Sequence, residues 1–161
     1  MRLGQEVQAV PRRALERRIG DPDPKATAAR PALLVVAAAL YDRLGRVLIA
    51  ERPSGKHMAG RWEFPGGKVA AGESEHAALH RELAEELGVE IRAARAFMRL
   101  QHDYPDRRVE LSLWIVEDYA GLPASREGQG LKWVVPGELG AEDMLEADRP
   151  FVTALAGLPA P

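Results

Sequence analysis

The chain has 161 residues, 46% of them apolar and 29% charged, and its 22 basic residues nearly balance its 24 acidic ones. This profile predicts one globular domain, and the net charge of −2 gives no electrostatic basis for binding a nucleic acid polymer or a membrane surface. The absence of cysteine excludes disulfides, thiolate metal sites and a cysteine nucleophile, and we expect a cytoplasmic protein.

Residues 1–31 are predicted to form a flexible N-terminal extension, and residues 32–158 to form the domain. Prolines interrupt the extension at Pro11, Pro22, Pro24 and Pro31. The extension mixes basic and acidic side chains and has no apolar stretch of the kind found in signal peptides. A short docking helix at residues 14–19 is the alternative interpretation.

The domain is predicted to begin with a buried strand at residues 33–40, which a turn at residues 42–45 joins to a second strand at residues 47–50. A short extended segment at residues 62–64 stops at a Pro-Gly-Gly sequence. The clearest helix follows at residues 74–87. Its apolar face consists of Ala78, Leu79, Leu83 and Leu87. Ser74 is the predicted N-cap of this helix, and Gly88 lies where a C-terminal glycine ends a helix.

Further strands are predicted at residues 91–100, 109–117 and 131–135, with a turn at residues 104–106. A short helix near Glu138 and a final helix at residues 149–158 complete the domain. This alternation of elements predicts an α/β (α+β) fold with a mixed β-sheet.

Three carboxylates mark the helix at residues 74–87 as a candidate metal site. Glu82, Glu85 and Glu86 are related by i, i+3 and i+4, which places them on one face with their β-carbons about 5–6 Å apart. Like charges repel at this distance, although Arg81 can reach Glu85 one turn along. A hard divalent cation would convert the repulsion into coordination. On these residues alone, a solvated face remains the alternative.

The wider spacing resembles a known family signature. Gly67 is followed by five residues and Glu73, and seven residues later by the sequence RELAEELGV at residues 81–89. Every fixed position of the Nudix box, G-x5-E-x7-R-E-U-x-E-E-x-G-U with U aliphatic, is filled. The resemblance implies a Nudix fold, with a mixed β-sheet sandwiched between helices, and a Mg²⁺ or Mn²⁺ cofactor. The implied metal-site residues are Glu82, Glu85, Glu86, Gly67 and Glu127. The implied catalytic residues are Glu82, as general base or water-positioning group, with Glu73 and Arg81 in support.

Segments outside the box resemble the MutT branch of this family, the 8-oxo-dGTP diphosphatases. They lie at residues 56–69, 104–107, 127–129 and 147–150, so the similarity spans most of residues 33–158. The substrate-binding residues that the resemblance implies are Arg52, His57, Phe64, Asp106 and Asp148.

Each of these residues has a structural alternative. Phe64 is suited to the core, Arg52 to an ion pair with Glu51 or Glu63, and His57 and Glu127 to solvated loops. Asp148 stands where MutT has an asparagine that contacts the purine. An ionised aspartate only accepts hydrogen bonds, whereas an asparagine also donates them, so selectivity for the oxidised base is open. The alternative for Asp148 is an N-cap of the last helix.

The resemblance therefore implies hydrolysis of a nucleoside triphosphate to a nucleoside monophosphate and pyrophosphate, which would sanitise the nucleotide pool. The implied partner is the nucleotide itself, with no nucleic acid polymer and no membrane, in a monomer or homodimer. A different nucleoside diphosphate derivative is the first alternative: a pyrimidine triphosphate, ADP-ribose or a dinucleotide polyphosphate. A non-catalytic ligand sensor is the second.

Overall fold

A computed structural model describes residues 32–159, so the predicted extension lies outside the described residues. Within that range the strands are β1 (Ala32–Leu40), β2 (Val47–Glu51), β3 (Trp62–Glu63), β4 (Gly66–Lys68), β5 (Glu90–Asp103), β6 (Arg108–Ala120) and β7 (Leu131–Val134). The α-helices are α1 (Glu75–Leu87) and α2 (Arg149–Ala156), and 3-10 helices span Pro136–Ala141 and Glu146–Asp148. No helix in this part of the chain is long and apolar enough to cross a membrane.

The strands form a mixed sheet and a smaller antiparallel sheet. The larger sheet has the order β4-β1-β6-β5, in which β1 runs parallel to β6 and the other pairs are antiparallel. The smaller sheet has the order β3-β2-β7. The predicted mixed-sheet α+β architecture is confirmed, and β5 and β6 extend beyond the bounds that the sequence predicts.

The central strand β1 is buried on both of its faces, which explains its continuous apolar sequence. On one face, Val36, Ala38 and Leu40 pack with the apolar side of α1. On the other face, Ala37 and Ala39 share a core with Phe151 and Leu155 of α2 and with residues of the smaller sheet. Leu79, Leu83 and Leu87 of α1 have no exposed surface. Burying each of them contributes roughly 1.5–3 kcal/mol and fixes the helix on the sheet.

Both predicted ends of α1 are confirmed. The Ser74 hydroxyl accepts a hydrogen bond from the Ala77 amide at 3.1 Å. Gly88 has a φ of 70°, and its N–H donates to the carbonyl of Ala84 at 3.0 Å. Glycine is favoured here because other residues rarely adopt this left-handed conformation. The caps therefore fix which turns of the helix carry the carboxylates.

The C-terminal helices differ from prediction in their type and length. The helix predicted near Glu138 is a 3-10 helix that begins at Pro136. The last helix begins at Arg149 as predicted but ends at Ala156. Its entry is a short 3-10 turn that holds Asp148 in the interior.

Candidate active site

The Gly66–Gly67 corner of β4 lies against the polar side of α1. The Gly66 amide donates to Glu86 Oε2 at 3.2 Å. A β-carbon added at Gly67 would lie 2.5 Å from both carboxylate oxygens of Glu82, so any other residue here would displace that carboxylate. Two of the predicted metal-site carboxylates therefore face the same backbone corner.

Arg81 of α1 bonds the segment before the helix and the Glu82 carboxylate. Its Nε and Nη2 atoms donate to the two carboxylate oxygens of Glu73 at 2.8 and 3.0 Å, and Nη2 also donates to the carbonyl of Lys68. Its Nη1 atom donates to Glu82 Oε1 at 2.8 Å. These bonds to Arg81, together with one from the Ala70 amide, lower the pKa of Glu73 to about 2. Glu73 is thus fixed as an anion that orients Arg81, which in turn holds Glu82.

Of the three predicted helix ligands, Glu82 and Glu86 face the glycine corner, whereas Glu85 is largely exposed. Glu85 is 55% exposed and lies 3.5 Å from Arg81 Nη1, the i, i+4 contact expected from the sequence. Glu82, by contrast, is 15% exposed and faces the glycine corner. Among residues 32–159, no three His, Asp or Glu side chains are grouped closely enough to hold a metal ion as they stand. Joint coordination by Glu82, Glu85 and Glu86 therefore requires side-chain rotation and stays a prediction.

The surroundings of Glu86 disfavour the charged form of its side chain. Burial and, to a smaller extent, the charges of Glu127, Glu82 and Glu63 raise its pKa to about 8, and the hydrogen bond from Gly66 opposes this shift. We call Glu86 and the three carboxylates that act on it electrostatically, Glu63, Glu82 and Glu127, the carboxylate cluster, although they are not grouped as metal ligands. Excess negative charge on carboxylate oxygens fits a hard divalent cation, because the cation relieves the repulsion that otherwise favours protonation.

Arg52, a predicted substrate-binding residue, forms hydrogen bonds with other groups of the protein. Its Nη1 atom donates to Glu63 Oε2 at 2.8 Å, which is one of the two ion pairs considered from the sequence. Its Nε atom donates to the carbonyl of His57 at 2.7 Å and so ties the exposed loop that follows β2. Burial raises the pKa of Glu63, and Arg52 opposes that shift. A phosphate contact by Arg52 stays a prediction.

Phe64 and Asp148 meet in the interior. Phe64 is 4% exposed and makes an edge-to-face contact with Phe151, with ring centroids 6.4 Å apart. Asp148 Oδ2 accepts a hydrogen bond of 3.4 Å from the Phe64 amide. Asp148 is the N-cap residue of α2, as the alternative predicts, but its side chain makes no cap hydrogen bond. Burial, followed by the charge of Glu63, raises the pKa of Asp148 to about 7.

The remaining predicted substrate residues lie on the surface. His57 is exposed in the loop after β2, and Asp106 is exposed in the turn between β5 and β6. Two surface concavities have volumes of about 740 and 660 Å³. Of the predicted site residues, Arg81 lines the second concavity, and none lines the first. The predicted nucleotide-binding residues therefore do not gather in either concavity.

Two further residues shape the site, although neither of them was assigned a catalytic, metal-binding or substrate-binding role from the sequence. Glu63 lies on the short strand β3 and joins Arg52 to the carboxylate cluster. Gln129 is buried beside the C-terminal end of α1, where its side chain bonds both the helix and the loop that carries Glu127. The sequence offered Glu63 only as an ion-pair partner of Arg52 and Gln129 only as part of the segment at residues 127–129, and the bond from Gln129 to Glu86 joins residues 43 positions apart.

Known proteins resemble this chain over most of the described domain. A family model of the NUDIX domain matches residues 35–154. A CTP pyrophosphohydrolase of Escherichia coli (strain K12) is 38% identical, covering 78% of this chain and 93% of that protein. An 8-oxo-dGTP diphosphatase of the same organism is 34% identical, covering 78% of this chain and 98% of that protein. A solved structure described in work on MutT from Aliivibrio salmonicida and Vibrio cholerae is 34% identical, with a TM-score of 0.68, covering 78% of this chain and 98% of that one.

The chain therefore belongs to the Nudix family, with the box on the loop and helix that carry Gly67 and Glu82. Within that family it is a MutT-like hydrolase. Hydrolases of this family generally need a divalent metal ion, which accords with the charge of the carboxylate cluster.

Proposed function

We propose that the protein is a Mg²⁺-dependent nucleoside triphosphate pyrophosphohydrolase that acts on free nucleotides in the cytoplasm. Water attacks the substrate, and the diphosphate bond breaks to give a nucleoside monophosphate and pyrophosphate. The observation that carries the proposal is the pair of carboxylates, Glu82 and Glu86, that face the Gly66–Gly67 corner within a complete Nudix box. Both Escherichia coli relatives described above are named as hydrolases of nucleoside triphosphates.

Mg²⁺ would be held by Glu82, Glu85 and Glu86, with Gly67 and Glu127 completing the site, and Mn²⁺ suits the same oxygen ligands. When bound, such an ion neutralises charge on phosphate oxygens and increases the acidity of water. Glu82 accepts the proton of the attacking water or positions that water. Glu73 and Arg81 keep the Glu82 carboxylate oriented through the bonds described above. The residues assigned here to nucleotide binding are those that the resemblance to MutT implies: Arg52, His57, Phe64, Asp106 and Asp148. Of these, Phe64 and Asp148 are buried, whereas His57 and Asp106 are exposed.

The preferred base is 8-oxoguanine, and cytosine is the second candidate. Asp148 is compatible with this second candidate, because a carboxyl group that is partly protonated near neutral pH both donates and accepts hydrogen bonds. The 4-amino group and N3 of cytosine offer a matching donor and acceptor. The relative named as a CTP pyrophosphohydrolase supports the same candidate.

A nucleotide panel tests the assignment. We expect Mg²⁺-dependent release of pyrophosphate from 8-oxo-dGTP or from CTP, with kcat/KM well above the values for dGTP and dATP. ADP-ribose and a dinucleotide polyphosphate complete the panel and represent the alternative substrates. Preference for either of these two compounds, or no preference for any triphosphate, would overturn the proposal.

A catalytic variant separates an enzyme from a non-catalytic sensor. We expect Glu82→Gln to lower kcat by roughly 10²–10⁴-fold, the range typical for loss of a general base. Glu138→Gln is the matched control, because Glu138 is exposed in the 3-10 helix far along the chain from the box. A kcat near that of the wild type in Glu82→Gln would contradict the role of Glu82.

A further inference from the structure

The loop after β6 docks on the C-terminal end of α1. We call residues 124–130 the docking loop. The last four carbonyl groups of a helix have no partner within the helix. Here the Ala124 amide donates to the carbonyl of Leu87, and the Arg126 amide donates to the carbonyl of Glu86, both at 3.1 Å. The loop therefore satisfies carbonyl groups of the same helical turn that carries the Glu86 carboxylate.

The side chain of Gln129 bonds both α1 and the docking loop. Its side chain is buried, with the residue 8% exposed. Its Nε2 atom donates to the carbonyl of Glu86 at 3.0 Å. Its Oε1 atom accepts from the Glu127 amide at 2.9 Å and from the Ser125 hydroxyl at 2.8 Å. One amide group thus binds the backbone of two residues of the carboxylate cluster, one from the helix and one from the loop.

Glu86 is therefore held at two points by different elements. The Gly66 amide bonds its side chain, and Gln129 bonds its carbonyl. Glu127 is connected to the helix through the docking loop, and its side chain is exposed. The Gln129 amide is thus a direct link between the backbone of Glu127 and that of Glu86.

We propose that Gln129 is a positioning residue that holds Glu127 in register with Glu86, so that the loop carboxylate joins the helix carboxylates around the divalent ion. This inference rests on the proposed function, because it gives Glu127 a part in the metal site. It goes further by assigning the task to a side chain that touches neither the metal nor the nucleotide.

Gln129→Met tests the proposal, because methionine has a similar length and neither donates nor accepts strongly. Gln101→Met is the matched control, since Gln101 lies on the exposed edge of the sheet and bonds Glu110 instead. In metal-free protein, hydrogen exchange at the Glu127 amide should speed up roughly tenfold or more in Gln129→Met and stay unchanged in the control. The Kd for Mn²⁺, measured by electron paramagnetic resonance, should rise by about 10–100-fold, as for other residues that orient metal ligands.

A double-mutant cycle with Glu127→Gln distinguishes positioning from general stabilisation. If Gln129 acts through Glu127, the combined variant should bind Mn²⁺ no more weakly than the worse single variant, and KM for the nucleotide should change less than kcat. Additive losses, or an unchanged Mn²⁺ affinity in Gln129→Met, would overturn the proposal. Gln129→Asn keeps the amide but shortens its reach, so it provides the same test if the methionine variant unfolds. An inactive wild-type enzyme would instead overturn the proposed function, and the exchange and Mn²⁺ results would still decide this one.

Discussion

Gly67 and Glu82 are in such close contact that the backbone of one shapes the carboxylate position of the other. A β-carbon at Gly67 would lie 2.5 Å from each carboxylate oxygen of Glu82, far inside van der Waals contact. The φ angle of Gly67 is not in the left-handed region, so the requirement for glycine is one of space. The glycine at this point of the box therefore has a steric reason as well as a chemical one.

Gly67→Ala should displace the Glu82 carboxylate while leaving the fold intact. A misplacement of about 1 Å at a catalytic group costs on the order of 10²-fold in rate, so we expect a loss of kcat of that size. Gly137→Ala is the matched control, because a β-carbon there would meet no atom within 4 Å beyond its chain neighbours and its φ is not positive. Steady-state kinetics and thermal unfolding of both variants check this. Equal kcat in the two variants would contradict the steric argument.

The ion pair of Glu73 and Arg81 predicts a dependence of stability on acid. Glu73 has a folded-state pKa of about 2 against an ordinary value of 4.5, so its stabilising contribution is complete above 4.5 and is lost as pH falls towards 2. Glu73→Gln should therefore lower the free energy of unfolding at pH 6, by an amount that shrinks between pH 4.5 and 2. Urea unfolding at several pH values measures the difference. A difference that is independent of pH would show that the charge of Glu73 contributes nothing.

The raised pKa of Glu86 predicts that the free energy of unfolding changes with pH in the opposite direction. Its pKa is about 8 in the folded metal-free protein against an ordinary value of 4.5, so the folded state holds a proton that the unfolded chain has released. Stability of the metal-free protein should fall as pH rises from 4.5 to 8, and Glu86→Gln should remove that fall. At roughly 1.4 kcal/mol per pKa unit, the variant should be more stable by a few kcal/mol at pH 8. Urea unfolding in the presence of chelator measures it, and a less stable variant at pH 8 would contradict the assignment.

Local patterns in the sequence were sufficient to predict the scaffold of the site. The caps Ser74 and Gly88 and the apolar face of α1 depend on residues within a few positions of each other, and all are confirmed. The bond between Asp148 and Phe64 joins residues 84 positions apart, and no periodicity encodes it. The same holds for Gln129 and Glu86, which are 43 positions apart. The bounds of α1 and the face that it buries were therefore predictable from the sequence. The contacts that hold Glu86 and Asp148 depend on tertiary structure.

Asp148 carries the prediction about base selectivity. Its pKa of about 7 means that its state changes near neutral pH, from a group that donates and accepts to one that only accepts. The ratio of kcat/KM for CTP to that for 8-oxo-dGTP should therefore change between pH 6 and pH 8.5 in the wild type. Asparagine both donates and accepts at every pH, so Asp148→Asn should abolish the pH dependence of this ratio.

The expected change in the kcat/KM ratio follows from the energy of the hydrogen bonds between Asp148 and the base. One buried hydrogen bond to the base that is gained or lost corresponds to about 1–3 kcal/mol, or roughly 5- to 150-fold in the ratio. Phe151→Leu is the control, because it alters packing beside Phe64 without changing any polar group near Asp148. It should lower stability and leave the pH dependence of the ratio as in the wild type. A ratio that varies with pH equally in Asp148→Asn and the wild type would remove Asp148 from base recognition, because the titrating group would then lie elsewhere.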